Sequence, residues 1–119
     1  MVKIGNLSGA LDIQYKNDDL RKLCLVRAHA QKKLGADCAR KIRSRYSDLE
    51  AAQCVTDLVA GNPHPLEGDR DGEFSLSLAG GKRLTFVPDH DPMPETADGA
   101  IDWSKVNKIQ IVYIGDYHD

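Results

Sequence analysis

The spacing of apolar and polar residues changes period several times along this chain, and the changes outline its elements. Leu11 to Tyr15 (LDIQY) alternates with a period of two, which predicts a short strand. Asn17 and Asp18 then supply cap-type side chains, and the spacing of Leu20, Leu23, Cys24, Ala28, Ala30 and Leu34 predicts one helix that stops at Gly35. Cys38, Ala39, Ile42, Tyr46 and Leu49 form a single stripe, which predicts a second helix over about 37–52. Residues 1–10 read as a loose extension ahead of a domain spanning 11–119.

Beyond the helices the pattern becomes that of a sheet. Gly61 to Gly72 (GNPHPLEGDRDG) is a loop by composition, because its two prolines disfavour helix at Asn62 and His64. In EFSLSL, Phe74, Leu76 and Leu78 share a face; in KRLTFV, Leu84 and Phe86 do. Joining those faces pairs Phe74 with Phe86 and Leu76 with Leu84, and leaves Ala79, Gly80 and Gly81 as the turn. Arg83 then points away from the core beside Ser75, Ser77 and Thr85. The long acidic connection 88–106 carries three prolines, a brief helical turn near Asp102 to Lys105 and Trp103 as a packing anchor. Ile109 to Ile114 is apolar on both faces, as in a strand inside a sheet. The order predicts an α+β domain, with an N-terminal strand and two helices packed on one face of a small antiparallel sheet. Its other face should be polar and partly open.

At 119 residues the chain has room for one core, and no stretch approaches the length of a membrane span. The first ten residues lack the apolar centre of a signal peptide. Cys24, Cys38 and Cys54 are odd in number and widely spaced, which reads as reduced, packed thiols of a cytoplasmic protein. A net charge of −2 hides a division: residues 1–50 hold eleven Lys or Arg against six Asp or Glu, the rest five against twelve. Arg40, Lys41, Arg43 and Arg45 lie mostly off the apolar stripe, so the second helix should show a basic surface suited to phosphates.

The chain ends IVYIGDYHD, placing four ionisable residues directly after a buried strand. Asp116, Tyr117 and His118 could meet Arg83 and the loop residues His64, Glu67, Asp69 and Arg70 on the open face. These types suit phosphodiester cleavage, which needs a base for the attacking 2′-hydroxyl, a cation for the crowded phosphorane and an acid for the leaving 5′-oxygen. His118 can be the acid, Arg83 can brace the phosphate, and Tyr117 can stack on a base or donate to a phosphate oxygen. Asp89-His90-Asp91 matches metal ligands by residue type alone and reads as a solvated loop; His29 reads as a boundary residue.

HPLEGDRDGEFSLSL, then GGKRLTF, then IDWSKV and the ending IVYIGDYHD together resemble the HigB-like killer branch of the RelE/ParE toxins, over about Leu11 to Asp119. The resemblance implies a toxin that enters the ribosome and cuts messenger RNA there without metal or cofactor, until a helix-turn-helix antitoxin of the HigA-like kind neutralises it. It assigns catalysis to Asp116, Tyr117 and His118, with Glu67 or His64 as the base, and the branch has an arginine where Arg83 stands. The basic residues Arg40, Lys41, Arg43, Arg45, Arg70 and Lys82 are then the expected RNA contacts. One position departs: Glu67 stands where active members commonly carry lysine, which implies weakened activity as one alternative. Another is gyrase binding, the mode of the ParE relatives.

Overall fold

The computed structural model describes residues 10–116. Tyr117, His118 and nearly all of the expected N-terminal extension lie outside the described residues. Strand β1 (Asp12–Tyr15) leads into helices α1 (Asp18–Leu25), α2 (Arg27–Leu34) and α3 (Ala36–Ala51). Strands β2 (His64–Pro65), β3 (Phe74–Ser77), β4 (Arg83–Pro88) and β5 (Lys108–Gly115) complete the order. The sheet order is β1-β5-β4-β3-β2. The fold is α+β, three helices on a five-stranded sheet.

Where one helix was expected there are two. Asn17 caps α1 by accepting the Leu20 N–H at 2.9 Å, and Val26 then breaks the helix in an extended conformation. In an unbroken helix Arg27 would fall at the centre of the stripe set by Leu20, Leu23 and Cys24. The break lifts Arg27 into solvent while Ala30 stays buried and Leu34 packs against the core. Val26 serves both helices, donating to the Lys22 carbonyl and accepting from the amides of His29 and Ala30.

The sheet is mixed and not wholly antiparallel, because β1 runs parallel to β5. Alternation in LDIQY reports which side chains are buried and carries no information on strand direction. The registers Phe74↔Phe86 and Leu76↔Leu84 are as the alternation predicts, and Ala79–Gly81 makes the turn. The loop before β3 contributes an edge strand, with His64 opposite Ser75 and Pro65 opposite Phe74.

One core lies between helices and sheet. Leu20, Leu23, Ile42 and Leu49 meet Leu76, Leu84, Phe86, Ile109, Ile111 and Ile114. Phe74 stacks on Phe86 with centroids 5.5 Å apart, and Trp103 closes over Phe74 at 4.8 Å, anchoring the long connection. His90 belongs to that connection too: its Nε2 accepts from the amides of Asn107 and Lys108. Among the described residues no group of three or more His, Cys, Asp or Glu is placed to hold a metal ion, and no helix is long and apolar enough to cross a membrane. The cysteines are free, and burial pushes the Cys24 thiol up to about 12.

Candidate functional site

Strand pairing builds the sheet's second face in rows. Residues paired across antiparallel strands project to the same side, so His64, Ser75, Thr85 and Tyr113 form one row and Ser77, Arg83 and Gly115 the next. With neighbouring strands about 4.8 Å apart, the first row is about 15 Å wide. Tyr113 joins it through an irregularity in β5: Thr85 pairs with Tyr113 but Phe86 with Ile111, so Val112 has no partner. That extra residue reverses the facing of the strand's C-terminal end, turning Ile114 inward and Tyr113 outward.

This face is polar as expected, and where it was expected to be partly open its centre is closed. Ser75 and Thr85 are both fully buried. Thr85 Oγ1 donates to Glu73 Oε1 at 2.7 Å, and Arg70 Nη1 donates to the same oxygen at 3.1 Å. The Arg70 guanidinium lies 4.5 Å from the centroid of the Tyr113 ring. Loop, strand and ring thus roof the middle of the sheet with a hydrogen-bonded ion pair and a cation–π contact. Beneath it, the Ser75 hydroxyl has no hydrogen-bond partner among the described residues.

The second row carries a different kind of cation. Arg83 Nη1 donates to Ser77 Oγ at 3.0 Å, and among the described residues no carboxylate pairs with it. Opposite Arg83 stands Gly115, where an added Cβ would lie 2.8 Å from Tyr113 Oη. Glycine is required here by close approach: the Tyr113 phenol lies across it. Asp116 comes next and is exposed.

The loop candidates separate. His64 is half-buried in the first row, and its Nδ1 lies 2.7 Å from the Asn62 carbonyl. A carbonyl oxygen only accepts, so Nδ1 carries the hydrogen and Nε2 of the neutral ring keeps its lone pair. Glu67 goes elsewhere. It is exposed and lines a groove of about 520 Å³ with Pro65, Leu66, Ile101 and Trp103, on the side of the long connection. Asp69 is exposed in the turn that ends at Arg70.

Of the expected RNA contacts, Arg40, Lys41 and Arg43 are exposed on α3. Arg40, which pairs with Asp37, and Lys41 line a cleft of about 430 Å³ between α3 and the Ala79 turn. Lys82 leaves that turn beside Arg83, near the Cys38 thiol, which burial pushes up against the opposing pull of the ammonium. Arg45 is a correction. Only 12% of its side chain is exposed, it pairs with Asp48 at 3.2 Å, and it packs where a Cβ on Gly61 would strike it. It holds α3 to the loop and offers little charge to a partner.

Glu73 and Tyr113 also build this face, and neither is among the candidates read from the sequence. Glu73 had a signal, since it alternates with Ser75 and Ser77 on the polar side of EFSLSL. Tyr113 had none, because strict alternation from Ile109 turns it inward.

Solved structures supply a comparison for this arrangement. The YoeB-YefM complex from Staphylococcus aureus matches with a TM-score of 0.54 and 16% identity, over 92% of this chain and 98% of the matched chain. The YoeB/ParE toxin from Agrobacterium tumefaciens matches with 0.55 and 11%, over 91% and 100%. This chain has their fold. The YoeB dimer from Staphylococcus aureus gives 0.55 at 15% identity, over 92% and 99%. No protein-family model and no curated protein matches the sequence.

Proposed function

We propose that this chain is the toxin of a type II toxin-antitoxin pair, of the HigB-like branch, and that it cuts messenger RNA on the ribosome with its own side chains as acid and base. The supporting observation is the pairing of Gly115 with Arg83. The chain leaves β5 beside an arginine whose only side-chain partner among the described residues is a neutral hydroxyl. Asp116, Tyr117 and His118 are the next three residues.

In this reading His64 takes the proton of the 2′-hydroxyl, since its hydrogen bond to Asn62 leaves Nε2 as the acceptor. The 2′-oxygen attacks the adjacent phosphorus, and Arg83 stabilises the charge that builds on the phosphorane oxygens. His118 protonates the departing 5′-oxygen while Tyr117 and Asp116 orient the nucleotide. The products carry a 2′,3′-cyclic phosphate and a 5′-hydroxyl. Arg40, Lys41, Arg43 and Lys82 hold ribosomal RNA phosphates, so affinity falls steeply with salt. A helix-turn-helix antitoxin of the HigA-like kind neutralises it in the cytoplasm; the matched Staphylococcus aureus toxin is itself in complex with YefM.

The test is cleavage of a defined message on purified ribosomes, read as new 5′-hydroxyl ends. His118→Ala and Arg83→Ala each lower the rate by about 100-fold or more. A His118→Ala protein that cuts like the parent removes the assigned acid, and DNA breakage with an intact message selects the gyrase-binding alternative. Glu67→Lys leaves the rate within a few-fold, because Glu67 lies off both rows; a large gain identifies the native chain as a weakened toxin.

A further inference from the structure

We propose that Glu73 and Tyr113 are positioning residues which hold the Arg70 guanidinium as a second phosphate-binding cation on the face that carries Arg83. The inference rests on the ribonuclease reading and adds to it a clamp built from the chain's own strand irregularity.

Three observations carry it. Among the described residues Arg70 is held at Nη1 by Glu73 Oε1, and its guanidinium carbon sits over the Tyr113 ring. A guanidinium on a long stem is normally free to reorient, and ordering it before binding removes that cost from the encounter with RNA. These two partners are themselves fixed. Glu73 Oε1 also accepts from the fully buried Thr85, and Tyr113 is turned outward by the unpaired Val112. Lastly, the Tyr113 phenol crosses Gly115, the residue opposite Arg83, so the platform under Arg70 reaches into the Arg83 row.

The charges fit the assignment. Two guanidinia on one face repel, and Glu73 offsets one of them in place while the other is held by the Ser77 hydroxyl. An incoming phosphodiester then meets one oriented cation with a compensating carboxylate and one without. The compensated cation orients the phosphate; the other takes the charge that develops on it.

The test uses the full chain in single-turnover cleavage on purified ribosomes, with rate at saturation and half-saturating ribosome concentration measured separately. Arg70→Ala and Glu73→Ala each lower the saturated rate about 10-fold or more and leave half-saturation within about 3-fold. Glu73→Gln, which keeps the acceptor oxygen but not the charge, recovers most of the rate lost in Glu73→Ala and leaves half-saturation within about 3-fold. The Arg70→Ala/Glu73→Ala pair cuts no more slowly than Arg70→Ala alone, because Glu73 acts through Arg70. Gly115→Ala, which displaces the phenol, falls toward the Arg70→Ala rate. Losses that multiply in the pair, or a Glu73→Gln protein as poor as Glu73→Ala, overturn the positioning role. If Glu73→Ala fails to fold, Arg70→Lys decides: it keeps charge without the planar fork, and cutting at the parental rate overturns the clamp. A parent that leaves the message whole overturns the ribonuclease reading and this inference together, whereas a cutting parent with unaffected Arg70 variants overturns only the latter.

Discussion

The two faces of the sheet are buried by opposite means. Against the helices, Leu76, Leu84, Phe86, Ile109 and Ile111 are wholly enclosed in hydrocarbon and aromatic packing. On the other side Ser75 and Thr85 are just as enclosed, under an ion pair, an aromatic ring and a loop. Apolar burial is non-directional and survives small displacements, whereas a roof of hydrogen bonds stands only while each donor meets its acceptor. The first face therefore carries the stability of the domain, and the second can carry its chemistry.

Removing bulk from the helix side tests that division most severely. Phe86→Ala deletes a fully buried ring that Phe74 stacks upon, and such truncations cost about 3–5 kcal/mol. Urea unfolding at neutral pH should show a loss in that range. On the polar side, Thr85→Val keeps the shape but takes one donor from Glu73, and a hydrogen bond to a charged group is worth about 1.5–3 kcal/mol. A Thr85→Val loss equal to that of Phe86→Ala would erase the contrast between the faces.

The legibility of each face has the same physical origin. The register of β3 on β4 could be read because Phe74, Leu76, Leu84 and Phe86 have one burial pattern that satisfies both strands. The Val26 break left a fainter sign, an arginine on an apolar stripe without glycine or proline to mark it. The parallel pairing of β1 left none. At the candidate site, Arg83 and Ser77 were readable from alternation, and His64 from its place in the loop. Tyr113 was hidden by one unpaired residue, Val112, and the closure of the face by Arg70 arises from a loop whose path composition does not encode.

Ser75→Ala sharpens the comparison with a smaller effect of unusual sign. The Ser75 hydroxyl is buried beside the Glu73 network yet has no partner among the described residues. A buried hydroxyl without a partner costs stability, so its removal should leave the domain unchanged or more stable by up to about 1 kcal/mol. Loss of stability in Ser75→Ala would mean that the hydroxyl has an acceptor, and that the centre of this face is more tightly bonded than its neighbours imply.

The smallest effect belongs to an ion network that lies on neither face. Asp19 at the start of α1 accepts from His29 at 2.8 Å and from Lys33 at 3.0 Å, tying α1 to α2 across the Val26 break. These contacts, His29 first, hold the Asp19 carboxyl below the usual carboxylate range. A carboxyl lowered in the folded state contributes its stability above its unfolded pKa, about 3.9, and loses it as pH falls through the folded value. The parent should therefore exceed Asp19→Asn in stability at pH 7 by a small margin that salt reduces. Urea unfolding at a series of pH values should find that margin closing as pH falls below about pH 4. A margin that persists at pH 2 would mean that the Asp19 side chain supports the helix break by its shape and not by its charge, and would put exposed and enclosed ion pairs in this fold on the same footing.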